Sequence, residues 1–179
     1  EIYTLSLHDA LPISSKKVRS VVKSRQAKGE WLCAAPYGYI INKRKDFEIV
    51  PTEADIVRQI FRMYIENGWG YKRIAEHLTD QGIPTPRMSE KLRKEAEGET
   101  YNRAVKPVWS IATIEGILRN DFYTGTFRQS KYTRAKINGR DVKKDESEHI
   151  VILEQHQAII DNHTFATAKA LLAERSTSH

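Results

Sequence analysis

The chain has 179 residues, 40% of them hydrophobic, enough for one core and consistent with a single domain carrying appendages. Lys and Arg number 29 against 23 acids, and the resulting +6 favours polyanionic partners through counterion release. Its one cysteine, Cys33, excludes an internal disulfide and a cysteine-based zinc site, and no apolar run approaches the ~20 residues of a membrane span.

In chain order, Glu1–Ile13 has no charge pattern like that of the segment after it, and Pro12 stops any helix running through it. It resembles, codon for codon, the translation of a common sequencing-library adapter. Residues 1–14 are therefore read as non-native and left out of the fold, with the natural start missing. Ser15–Lys28 is free of acids and carries Lys16, Lys17, Arg19, Lys23, Arg25 and Lys28. Val18, Val21 and Val22 give it a narrow apolar stripe, so residues 15–30 read as a basic linker helix stopped at Gly29. Such a helix either tracks phosphates or is a solvated basic face.

The character changes at Trp31. Tyr39–Asn42 and Phe47–Val50 flank a basic turn, Lys43-Arg44-Lys45, and predict a small hairpin. Pro51-Thr52-Glu53-Ala54-Asp55 is a helix start in which Thr52 can cap and the acids meet the helix dipole. Ile56, Val57, Ile60, Phe61, Tyr64 and Ile65 make this the best core helix of the chain, ended by Asn67-Gly68. After Trp69-Gly70, the residues Tyr71, Ile74, Ala75 and Leu78 form one apolar stripe, and Gly82 with Ile83-Pro84-Thr85-Pro86 stops that helix. Met88–Val108 is highly charged and reads as a mobile or marginally helical insertion. Ser110 then caps a third helix, Ile111–Arg119, with Ile111, Ile114 and Leu118 as its apolar positions. Two short helices in series, the second capped by serine, suggest a helix-turn-helix with an interrupted turn.

Phe122–Tyr132 alternates and is aromatic, so it predicts a strand. Asn138-Gly139 is a turn signal, and Ile150-Val151-Ile152-Leu153 is the partner strand. A hairpin directly after a helix-turn-helix is the arrangement of a wing. Ala158-Ile159-Ile160-Asp161 leads into a closing helix with Phe165, Ala168, Leu171 and Leu172 on one face, and residues 176–179 are a tail. The expected fold is α+β and mainly helical: a helix-turn-helix-like core, small wing-like β-hairpins and a C-terminal helix.

Several of these pieces together resemble the recombinase domain of the large serine recombinases. They are Ala35-Pro36-Tyr37-Gly38-Tyr39, Ile74-Ala75 with Leu78, Gly82-Ile83-Pro84-Thr85-Pro86, Trp109-Ser110 with Ile117-Leu118-Arg119-Asn120, and Tyr123-Thr124-Gly125. Ile159-Ile160-Asp161 and Phe165 fit the closing segment, so the resemblance covers about Lys16 to Arg175, with the DNA-binding domain at 31–175. It implies part of a mobile-element integrase or transposase. In such proteins a catalytic serine domain and a long helix precede this domain, and a zinc ribbon with a coiled-coil insertion follows it. It further implies double-stranded DNA as partner, a dimer or tetramer only in the full-length protein, and a bacterial or phage protein of the cytoplasm and nucleoid. Glu115 and Gly116 stand where the family often has basic side chains, and the 88–108 insertion is longer than the family's usual link.

No serine here has the setting of a nucleophile, no catalytic residue is assigned, and no cofactor is expected. His149, His156 and His163 recur every seven residues, but they straddle a strand, a turn and a helix start and need not share a face. The DNA-contacting candidates, besides the six basic residues of the linker, are Lys72, Arg73, Arg87, Ser110, Thr113, Arg119, Arg128, Lys131, Arg134 and Lys136. Lys suits phosphates, whereas Arg and Thr are better placed for base edges. Two other functions stay open on sequence: a standalone winged helix-turn-helix regulator, and a metal-dependent nuclease using the histidines.

Overall fold

The computed structural model describes residues 17, 18, 20–25, 28, 31, 33–133 and 140–177. Within them the chain divides into two compact units, one of residues up to 34 with 126–155, the other of 35–125 with 156 onward.

The second unit holds the main core. Its hairpin pairs β1 (Tyr39–Ile41) antiparallel with β2 (Phe47–Ile49), Tyr39 facing Ile49. Asn42 closes the turn, accepting the Arg44 and Asp46 amides on its side-chain oxygen at 2.9 and 3.0 Å. Helix α1 spans Pro51–Ile65. Pro51 sits at its first turn, where a missing N–H costs nothing, so Val50 takes the N-cap position and Thr52 does not cap. Glu53 turns inward instead: its carboxylate is buried, accepts the Gly38 amide at 2.9 Å and pairs with Arg93. Ala54, Val57, Ile60, Phe61, Met63 and Tyr64 form the buried face, whereas Ile56 and Ile65 are only half-buried.

Helix α2 (Tyr71–Asp80) ends as its sequence requires. Gly82, at φ +66°, and Ile83 donate to the carbonyls of Thr79 and Leu78 at 2.9 and 3.0 Å, the double bond of a Schellman end. The expectation of a marginal insertion is corrected over its first half. Pro86–Ala96 is a regular helix, α3, capped by Thr85 through the Met88 amide and pinned to the core by Arg93 on Glu53. Helix α4 is Ile111–Leu118, and α5 is Asn162–Thr177. Asp161 caps α5, accepting the Thr164 amide at 2.8 Å. Ala168 and Leu172 of α5 are buried, and α1 packs against α2, α4 and α5.

The strand expected from Phe122 onward begins later. Asp121–Thr124 is a single 3-10 turn, and Gly125, at φ +83°, redirects the chain. A side chain could not replace that glycine freely, because its Cβ would lie 3.0 Å from the His156 carbonyl oxygen. The same turn anchors the closing segment: the Ile159 and Ile160 amides both donate to the Tyr123 carbonyl, at 2.9 and 3.0 Å.

In the first unit, residues 17, 18 and 20–25 are helical, with Val18, Val21 and Val22 exposed. Strand β3 (Phe127–Gln129) pairs antiparallel with β6 (Ile150–Ile152), and β4 (Tyr132–Thr133) with β5 (Val142–Lys143). The Trp31 ring meets that of Phe127 edge-on at 5.1 Å. The adapter-like residues 1–14, Lys16, Arg19, Arg134, Lys136 and the Asn138-Gly139 turn lie outside the described residues.

Candidate nucleic-acid interface

The interrupted turn is closed at its base. Thr85 donates its hydroxyl to the Lys106 carbonyl at 3.1 Å, so the excursion through α3 leaves and returns at one place. Three residues beyond the return, the buried Trp109 docks on the end of α2. Its indole N–H donates to the Ile83 carbonyl at 2.9 Å, and its amide donates to Thr79 Oγ1 at 3.0 Å. Thr79 in turn donates to the Ala75 carbonyl. The long insertion therefore leaves α2 and α4 as direct neighbours.

Serine 110 then starts α4, accepting the Thr113 amide at 3.1 Å, with the two hydroxyls 2.8 Å apart. Ile114, Ile117 and Leu118 are buried and pack toward α2, whose Ile74, Ala75 and Leu78 are buried as well. Ile111, expected on the apolar side, is instead 49% exposed. The outer face of α4 then presents Ala112, Gly116 and Arg119, with Glu115 half-buried beside them. Arg119 Nε lies 2.9 Å from Glu115 Oε1, so the acid that would repel phosphate is held by its own helical neighbour.

On α2, Lys72 and Arg73 are exposed. Lys72 Nζ is 3.8 Å from Glu76, a solvent-exposed pair that restrains it weakly. Arg73 lies over the Trp69 ring at 4.3 Å. The amino end of α2 starts at Gly70 without a side-chain cap, leaving its first amides open. Gly70, Tyr71, Glu115, Arg119 and Arg175 border one cleft of about 290 Å³. Burial and the neighbouring Tyr64 push the Tyr71 hydroxyl above its ordinary range, and Arg119 opposes that shift.

Of the sequence candidates, Lys72 and Arg73 lie at the start of α2, Ser110 and Thr113 at the start of α4 beside the end of α2, and Arg119, at the end of α4, borders the same cleft as Gly70 and Tyr71. Arg87 stands apart, exposed in the first turn of α3. In the other unit, Lys17, Lys23, Arg25 and Lys28 are exposed. Arg128 lies in β3 opposite Val151, its guanidinium 3.5 Å from His149 Nδ1. Lys131 accepts the Lys144 amide on its carbonyl, placing the two basic residues side by side in the chain-reversing ribbon. Sequence reasoning missed Arg175, which donates to the Gly68 and Trp69 carbonyls, and the Glu53–Arg93 pair. Nothing local marks either, since their partners are remote in sequence.

The histidines serve other ends. His156 Nε2 donates to the Phe122 carbonyl at 2.7 Å and its ring stacks on Phe122 at 3.8 Å. Among the described residues, no group of three or more His, Cys, Asp or Glu is arranged to hold a metal.

A family model described as Recombinase matches residues 51–175. The chain belongs to the Recombinase family. Its fold is similar to that of a chain in a crystal structure of an LSR–DNA complex, with a TM-score of 0.51 and 16% identity, over 90% of this chain and 38% of that one. A chain from a structure on the sequence requirements of the Listeria innocua prophage attP site matches at a TM-score of 0.48 and 17% identity, over 88% of this chain and 51% of that one. The recombinase domain described here therefore spans about half or less of the length of these solved relatives.

Proposed function

We propose that this chain is the duplex-DNA-binding part of a larger site-specific serine recombinase, recognising attachment-site DNA for integration or excision of a mobile element. The observation that carries the reading is the α2–α4 pair, joined where Trp109 bonds the end of α2, with a serine-capped helix that exposes Ala112, Gly116 and Arg119 and with Arg119 bordering the same cleft as the start of α2. A helix of this kind, supported from behind by a buried partner, is what the major groove admits. Family membership supplies the second support.

In this reading, phosphates are held by Lys72, Arg73 and the open amides of α2, while Thr113, Arg119 and the bare Ala112–Gly116 strip of α4 meet base edges. The basic ribbon carrying Arg128 and Lys131 and the linker residues Lys17, Lys23, Arg25 and Lys28 add sequence-independent affinity. Strand cleavage belongs to a separate serine domain, where a hydroxyl attacks phosphorus and arginines stabilise the charge that develops. The chain itself binds without cutting, and its assembly into dimers or tetramers depends on that other domain.

The test is fluorescence anisotropy on labelled duplex over a salt series. Binding should weaken linearly in log–log form as salt rises, with no cleavage. Reversing Arg128, Lys131 and Arg134 to Glu should weaken binding and flatten that slope. Unchanged binding by the triple variant removes the ribbon from the interface. Absence of salt-sensitive duplex binding by the parent chain overturns the whole reading.

A further inference from the structure

We propose that Arg175 is a positioning residue for DNA contact, setting Arg73 through Trp69; the inference rests on the duplex-binding reading above. Arg175 stands at the far end of α5, yet it reaches the corner between α1 and α2. Its Nη2 donates to the Gly68 carbonyl at 3.2 Å and its Nη1 to the Trp69 carbonyl at 3.3 Å. Its guanidinium also lies 4.5 Å from the centre of the Tyr64 ring. A planar fork that bonds two successive carbonyls while stacking on an aromatic face uses geometry only arginine has.

The corner it grips is short of internal restraint. The Trp69 amide donates back to Met63 at 3.1 Å, but Gly70 begins α2 without a side-chain cap. The Trp69 ring is what the corner delivers. It meets His77 edge-on at 5.2 Å and carries the Arg73 guanidinium at 4.3 Å. A shift of the Gly68–Trp69 carbonyls therefore moves the platform under Arg73 and the open amide end of α2 together. Arg175 has its hydrogen bonds turned to protein carbonyls, so it braces the contact rather than making it.

Arg175→Gln, Arg73→Gln, the double variant and Arg175→Lys are compared with the parent by duplex anisotropy over a salt series, with circular dichroism melting as the folding control. Arg73→Gln should weaken binding about three- to tenfold and lower the magnitude of the salt slope by about one, the mark of one lost phosphate contact. Arg175→Gln should reproduce both effects with the fold intact. The double variant should bind no worse than the weaker single variant, because the two act on one contact. Arg175→Lys should fail to rescue, since an ammonium cannot bridge two carbonyls and stack. Additive losses, or parent-like affinity and slope in Arg175→Gln, overturn the proposal. The Trp69 indole resonance gives a readout without DNA: it should move in Arg175→Gln, and an unmoved resonance also overturns the proposal. If the parent chain does not bind duplex, the functional reading fails on its own, while the indole shift still judges the brace.

Discussion

Glycine 116 offers a test in which stability and function should move in opposite directions. It lies inside the eight-residue α4, on the exposed side, and a Cβ built there meets no atom within 4 Å. Neither its backbone conformation nor packing within this chain requires glycine. In a helix interior glycine is less favourable than alanine by about 1 kcal/mol, chiefly through backbone entropy. Gly116→Ala should therefore stabilise the fold by about 0.5–1 kcal/mol, raising the melting midpoint by roughly 1–4 °C for a chain of this size. On DNA the sign reverses. In the proposed docking Ala112, Gly116 and Arg119 turn to the groove, so an added methyl must displace a close neighbour, and overpacking of that kind costs about 1–3 kcal/mol. The dissociation constant should rise roughly five- to hundredfold. Melting and anisotropy at one fixed salt concentration, on the same preparation, measure both quantities. A variant that is more stable and binds as tightly as the parent would refute close approach of α4 to the duplex.

Three further outcomes follow from the packing. Removing the guanidinium with Arg93→Gln leaves the Glu53 carboxylate buried with only the Gly38 amide; because Arg93 is partly exposed, the loss should be about 1–3 kcal/mol by urea unfolding, largely recovered in the Glu53→Gln/Arg93→Gln double variant. Burial holds His156 below its ordinary pKa, and its Nδ1 is buried without a partner once Nε2 bonds Phe122. The unfolded chain then takes up the proton first, so stability is full above about pH 6.5 and falls as the pH drops below it; His156→Phe should flatten that slope between neutral and mildly acidic pH, and an unchanged slope would remove His156 as its source. Finally, because Thr85 and Lys106 meet, replacing residues 87–105 with a short glycine linker in a Glu53→Gln background should preserve duplex binding, whereas its loss would make the α3 arm part of the interface.

Much of the fold was legible because its signals are local. Gly82 and Ser110 end and begin their helices through bonds that span only a few residues, as does Asp161 at the start of α5. The stripe of Ile74, Ala75 and Leu78 is buried as its spacing implies. Where reading failed, a local preference met a competing one. Thr52 is a good capping residue, but Pro51 beside it is a better first residue of a helix. Phe122–Thr124 alternates like a strand, yet Asn120 caps a tight turn there by accepting the Phe122 amide. The charged run after Pro86 buries none of its residues, and its helix depends on the Thr85 cap and on Glu53 from a different element.

By itself the sequence determined the helices of the core other than α3, where they stop, that the charge suits a polyanion, and which family pattern they follow in order. Those properties rest on periodicity, capping and composition, which act within a few residues. Only the tertiary structure decided that a long insertion leaves α2 and α4 adjacent, that Glu53 is an anchor rather than a surface acid, and that Arg175 reaches Gly68 across 107 positions of sequence. Each of those depends on carbonyls, amides and charges that meet only after the core has formed, and no local pattern records which remote group will be waiting there.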